Sequence, residues 1–290
     1  LVNKSMEYIH PEALVTTEWL ADNLGASDIA IIDASFHLPA AQRNAKAEYT
    51  ANHIPGAVFF DIDDIADTDS DLPHMLPSPE KFSSRVRKLG IGSETHVICY
   101  DANGGPGASM RAWWNFRIFG HDRVSVLSGG LPKWQDEGRP TTADETAIIE
   151  KHFFPKFDPS LVLSVDQMMA NVDSQEYQMV DARPPGRYNG TDEEPRAGMR
   201  KGHIPGAINL PFQALMDTGN FMVMRPAEEL QTIISEAGID PEKPLVSSCG
   251  SGVTAAPLVM ALYLLGHTRA AIYDGSWTEW GGRDDTPIDV

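Results

Sequence analysis

His53-Ile54-Pro55-Gly56-Ala57 and His203-Ile204-Pro205-Gly206-Ala207 are one pentapeptide written twice, 150 positions apart. The likeness spreads outward from both copies. An apolar stretch ending in Asp-Ala precedes each of them, Ile31-Ile32-Asp33-Ala34 and Met179-Val180-Asp181-Ala182. Further on, Leu89-Gly90-Ile91 matches Ala237-Gly238-Ile239, Gly120-His121 matches Gly266-His267, and Trp134 matches Trp280. The offset stays between 146 and 150. An ordered series of matches at near-constant offset means one domain present in two copies. A chain of 290 residues has room for both, each of a size that buries its own core. The boundaries are expected at 8–140 and 161–290. Residues 141–160 between them carry Asp, Glu, Lys and two Pro without sustained periodicity, and read as a linker.

Within the second copy, strand and helix patterns alternate. Gln178–Asp181 and residues 207–210 read as short strands. Pro226 opens a helix in which Leu230, Ile233, Ile234 and Ala237 recur at helical spacing, and Gly238 closes it. Leu245–Ser248 is a buried strand, residues 253–265 form an almost wholly apolar helix ended by Gly266, and Ala271–Tyr273 is one more strand. Such alternation predicts an α/β fold of two tandem domains, each an open parallel β-sheet flanked by helices on both faces. In sheets of this kind a ligand site lies outside the carboxyl ends of the strands.

Composition narrows the function. With 23 Lys+Arg against 41 Asp+Glu, the formal charge of −18 repels polyphosphate and argues against nucleic acid. No apolar run approaches the roughly 18 residues of a membrane span. Cys99 and Cys249 are too far apart for a CxxC or any paired spacing, so neither a disulfide framework nor a zinc site is indicated. Residues 1–7 carry one Lys and no apolar core, so no secretory signal is expected. A reducing, cytoplasmic setting fits both observations. No dinucleotide fingerprint, phosphate-binding P-loop or metal-ligand spacing is present, and no cofactor or metal is implied.

Cys249 follows directly on the strand Leu245–Ser248 and begins the loop Cys249-Gly250-Ser251-Gly252-Val253-Thr254, which leads into the apolar helix. Gly250 and Gly252 let the backbone curl so that successive N–H groups converge, and the positive end of the helix adds to their field. That setting suits a negatively charged sulfur nucleophile. Cys99 lies inside a strand, 96–100, and is expected in the core. The position of the first copy that matches Cys249 is Asp101, so that copy is expected to lack a nucleophile.

These features together resemble the tandem-domain rhodanese superfamily, and the resemblance covers nearly the whole chain. Thiosulfate enzymes of that superfamily carry cationic residues after the cysteine. Gly250, Ser251 and Gly252 instead resemble the 3-mercaptopyruvate branch. The resemblance implies a sulfurtransferase that takes sulfur from 3-mercaptopyruvate as a Cys249 persulfide, releases pyruvate, and passes the sulfur to a small thiol, thioredoxin or cyanide. It implies that Gly250, Gly252, Val253 and Thr254 cradle the sulfur. It further implies that Arg187 and Arg196, in Gly186-Arg187-Tyr188 and Glu194-Pro195-Arg196, clamp the carboxylate and carbonyl of the donor, with Arg183 and Arg200 as lesser candidates. A proton relay of Ser251, His74 and Asp63 reaching between the domains is implied as well, although Asp61, Asp64 and Asp67 compete for the last place. His53 and His203, being in both copies, read as structural, and Trp113, Trp114, Phe116 and Phe119 read as packing.

Three alternatives stand beside this reading. One is thiosulfate:cyanide sulfurtransfer on the same cysteine. Another is a non-catalytic rhodanese-like binding module. The third, a cysteine phosphatase, needs an Arg at the sixth position after the cysteine to clamp phosphate, and Ala255 occupies that place.

Overall fold

The computed structural model describes residues 7–105 and 107–290. The chain divides into two compact units. The first comprises Glu12–Asp158 with Thr218–Val223; the second comprises residues 7–11, Pro159–Asp217 and Met224–Val290. Each holds a five-stranded parallel sheet flanked by helices, as the strand-helix alternation predicts.

The two sheets have one topology. In the first unit the order across the sheet is Leu14–Val15, Val124–Leu127, His96–Tyr100, Ile29–Asp33, Ala57–Phe59. In the second it is Val162–Leu163, Ala271–Tyr273, Leu245–Ser248, Gln178–Asp181, Ile208–Asn209. The fourth strand of each copy is therefore central, and its residues are buried almost without exception, as a parallel strand covered on both faces must be. The helix that follows it is also enclosed. Of Ala256–Leu264 only Tyr263 is not buried, which explains an apolar sequence with no polar face. Trp113, Trp114 and Phe116 lie buried in the corresponding helix of the first copy, Ala108–Ile118.

This helix of the second copy begins three residues later than its apolarity suggests, at Ala256 rather than 253. Hydrophobicity continues through Val253 and Ala255, but Gly252 takes φ +78°, outside helical space, and Pro257 fits only the first turn of a helix. The loop after Cys249 is longer as a result.

The segment read as a linker has a definite course. Without forming a helix or strand, residues 142–158 run against the first unit: Thr142 bridges His53, the N–H of Ser93 donates to the carbonyl of His152, and those of Lys156 and Asp158 donate to the carbonyls of Phe119 and Ile118. Phe153 is buried there among the rings of Phe82, Phe116 and His121.

The repeated pentapeptides do a structural task. His53 stacks on Tyr49 with ring centroids 4.2 Å apart, and its Nδ1 donates to the carbonyl of Tyr49. His203 stacks on Tyr188 at 3.7 Å with the same bond to the carbonyl of Tyr188. The hydroxyls of Tyr49 and Tyr188 donate to the carbonyls of Ala57 and Ala207, the last residue of each pentapeptide.

Truncating Phe153 to Ala should cost the first unit about 3–5 kcal/mol, the usual loss for a buried phenylalanine. Chemical denaturation followed by the fluorescence of that unit's tryptophans measures it.

Candidate active site

Cys249 leaves the central strand of the second unit with its backbone held on both sides. Its N–H donates to the Ser276 hydroxyl at 3.1 Å, and its carbonyl accepts from the Trp277 N–H at 2.9 Å. The carbonyl of Gly250 accepts from both the N–H and the hydroxyl of Thr278. At the far end, the Ser247 hydroxyl donates to the carbonyl of Ala255. A loop pinned at both ends cannot collapse onto its own amides. Among the described residues, no acceptor answers the N–H groups of Gly250, Ser251, Val253 and Thr254. Cys249 itself is 1 % exposed and Ser251 is buried. These donors share one loop with a buried sulfur, and backbone N–H groups without acceptors suit a negatively charged partner.

The first copy shows what such a loop does when the chain supplies the charge. Asp101 follows the central strand there, and the Leu131 N–H donates to its carbonyl at 3.0 Å, the counterpart of the Trp277 bond to Cys249. Gly130 and Ser276, one residue before each donor, both take positive φ. At this matched position the Asp101 carboxylate turns into its own loop and accepts from the N–H groups of Asn103, Gly105 and Ser109 at 2.8, 3.2 and 3.0 Å. A carboxylate fills the nest in one copy; a single sulfur borders it in the other. Cys99 is a different kind of cysteine. It lies within the strand His96–Tyr100, and burial, with a smaller effect from Asp101, pushes its thiol well above the usual range.

The arginines divide by their partners. Arg183 is fully engaged: it pairs with Asp181, donates to the carbonyl of Gly202, meets Glu194 at 2.7 Å, and lies 4.1 Å over the Trp277 ring. Arg200 is spent on the carbonyls of Trp280, Gly281 and Thr286. Arg187, on the short helix Pro185–Tyr188, pairs with Glu194 through Nε and Nη2. A Cβ built on Gly250 would lie 3.0 Å from Arg187 Nη2, so the absence of a side chain at 250 lets the guanidinium reach the cysteine loop. Arg196 is half-buried in the same segment. Asp33, the first-copy counterpart of Asp181, pairs with no arginine among the described residues; burial, its largest influence, pushes its carboxyl upward although Ser35 hydrogen bonds oppose this.

His74 and Asp63 belong to the first unit. Asp63 Oδ1 lies 2.8 Å from His74 Nδ1, an ion-pair contact without hydrogen-bond geometry, and both ring nitrogens are buried with no hydrogen-bond partner among the described residues. The neighbouring acids have other tasks: Asp61 caps the helix Ile62–Ile65, Asp64 pairs with Arg85, and Asp67 accepts from the Asp69 N–H. His74 holds φ +62°, steadied by Arg111 Nη2 on its carbonyl and by the edge of Phe36.

The family description "Rhodanese-like domain" matches twice, over residues 16–137 and 164–283. The chain belongs to the rhodanese family. The 3-mercaptopyruvate sulfurtransferase of Escherichia coli K12 is 41% identical, covering 95% of this chain and 97% of that protein. The thiosulfate sulfurtransferase of Gallus gallus is 42% identical, covering 92% and 93%. The crystal structure of SseA from Escherichia coli, described as a 3-mercaptopyruvate sulfotransferase, superposes with TM-score 0.83 at 39% identity over 91% of this chain and 98% of that one.

In this rhodanese three contributors to the site escape a reading of the sequence. Ser276 and Thr278 anchor Cys249 and Gly250 from a distant segment; the repeat offset that links Gly129-Gly130 to Gly275-Ser276 is the signal that points to them. Glu194 stands in a quoted motif, but only the fold shows it between two arginines. Replacing Asp101 with Ala leaves three N–H groups without their acceptor and should cost about 1–3 kcal/mol in urea unfolding.

Proposed function

We propose that this rhodanese is a sulfurtransferase that moves sulfur from 3-mercaptopyruvate to a thiol acceptor through a persulfide on Cys249. The observation that supports this most is the set of unanswered amides around a cysteine whose counterpart, Asp101, fills its own nest with negative charge. The outer sulfur of a persulfide is an anion of suitable size for that place.

In the first half-reaction, Arg187 and Arg196 hold the carboxylate and carbonyl of the donor so that its sulfur meets Cys249. The Cys249 thiolate forms the S–S bond as the carbon–sulfur bond breaks. The electron pair passes into the keto acid as the enolate of pyruvate. Ser251 delivers the proton that converts the enolate to pyruvate. In the second, an acceptor thiolate attacks the outer sulfur, becomes a persulfide itself and returns Cys249 as a thiolate. A small thiol or reduced thioredoxin is the acceptor, and a reducing compartment such as the cytoplasm suits both cysteines. No helix among the described residues is long and apolar enough to cross a membrane.

Relatives named for 3-mercaptopyruvate and for thiosulfate are 41% and 42% identical to this chain, so charge at the site distinguishes the donors. Gly250, Ser251 and Gly252 bring no cation to the loop. A doubly charged inorganic donor needs more positive charge than a monocarboxylate does.

Incubation with 3-mercaptopyruvate should add the mass of one sulfur atom to the intact protein, lost again on thiol treatment and never gained by Cys249→Ser. Wild-type protein that gains no sulfur overturns the assignment, and a clear kinetic preference for thiosulfate overturns the donor. Arg187→Ala should lower kcat/KM for 3-mercaptopyruvate about 100-fold, the worth of a charge-assisted contact.

A further inference from the structure

Glu194 occupies a singular position in the second unit. Its side chain is only 5 % exposed. Oε1 accepts from Arg183 Nη1 at 2.7 Å, and Oε2 accepts from Arg187 Nε and Nη2 at 3.0 and 2.5 Å. Arg183 already has a carboxylate of its own, since Nε and Nη2 bind Asp181, and its face rests on Trp277. The four charges therefore cancel in sequence: Asp181 answers Arg183, and Glu194 answers Arg187. Arg187, which reaches the cysteine loop at Gly250, offers a donor its remaining N–H groups without surplus charge.

That distinction decides between anions. A singly charged carboxylate gains directed hydrogen bonds from a guanidinium even when a second carboxylate shares it. A dianion entering the same enclosed place brings an additional negative charge close to Glu194. Repulsion between charges a few ångström apart in a partly buried site amounts to at least about a tenfold change in affinity. Deleting the Glu194 charge leaves Arg187 an uncompensated cation.

We propose that Glu194 sets the donor range of the Cys249 site: by holding and neutralising Arg187 it favours singly charged donors over doubly charged ones. The proposal rests on Arg187 contacting the donor. Glu194 acts through that arginine as a specificity-determining residue.

The test compares kcat/KM for 3-mercaptopyruvate and for thiosulfate at pH 7 in wild type, Glu194→Gln and Glu194→Asp. Glu194→Gln should raise the ratio of thiosulfate to 3-mercaptopyruvate efficiency about tenfold. Glu194→Asp keeps the charge and should keep the wild-type ratio, even where the shorter side chain lowers both rates. An unchanged ratio in Glu194→Gln, or an equal shift in both variants, overturns the proposal, because a merely structural role depresses the two donors alike. If Glu194→Gln does not fold, competition in wild type decides: pyruvate should inhibit use of 3-mercaptopyruvate at about tenfold lower concentration than sulfate, and equal or stronger inhibition by sulfate overturns it. A wild type that gains no sulfur from 3-mercaptopyruvate removes the function itself. Normal wild-type loading with an unshifted ratio removes only the role of Glu194.

Discussion

Backbone amides converging at the carboxyl end of a central parallel strand have to meet negative charge, and the rest of the molecule is arranged around that requirement. A buried N–H without a partner costs about 1–3 kcal/mol. The first copy meets the cost internally with the Asp101 carboxylate. In the second copy Ser276, Trp277 and Thr278 hold the corresponding loop by its backbone. The matched position thus holds a carboxylate bonded to its own loop in one copy and a buried cysteine in the other.

Around this nest the second unit keeps its charges in closed accounts. Asp181 ends the strand beside Leu245–Ser248 and is bound to Arg183, which is bound to Glu194, which is bound to Arg187. Buried ions persist only when paired and hydrogen-bonded, and each link here is both. The chain of pairs carries the position of Asp181, fixed by the sheet, out to a guanidinium beside Gly250. Arg187 stands on a four-residue helix, too short to be rigid alone. Its placement comes from Glu194 and, through it, from the sheet.

Much of the fold was legible because the domain is written twice. The repeated His-Ile-Pro-Gly-Ala, the Asp-Ala strand ends and the Trp pair carry enough information to align the copies, and the alignment singles out Cys249 against Asp101. Sequence reading stopped where the physics is non-local. Apolarity cannot tell Val253 in a loop from Leu258 in a helix; a positive φ at Gly252 and a proline ring can. The residues 141–160 lack periodicity, yet Phe153 is a core side chain, because packing against an existing aromatic cluster needs no regular backbone. Four aspartates between 61 and 67 look alike in the sequence, and caps, ion pairs and a histidine contact tell them apart only after folding.

The tyrosine–histidine stack explains how two copies of one domain came to differ so much in chemistry. Tyr49 precedes His53 by four residues, whereas Tyr188 precedes His203 by fifteen, but rings and hydroxyls meet the same partners. The span from strand end to histidine is nearly equal in both, 20 residues from Asp33 and 22 from Asp181. What changed is the side of the tyrosine on which the slack lies. Since closing a loop depends only weakly on its length, such a stack works like a clasp on a strap. Chain can be drawn through it to either side, and the second copy has drawn its slack to the side where Glu194 and Arg196 now stand.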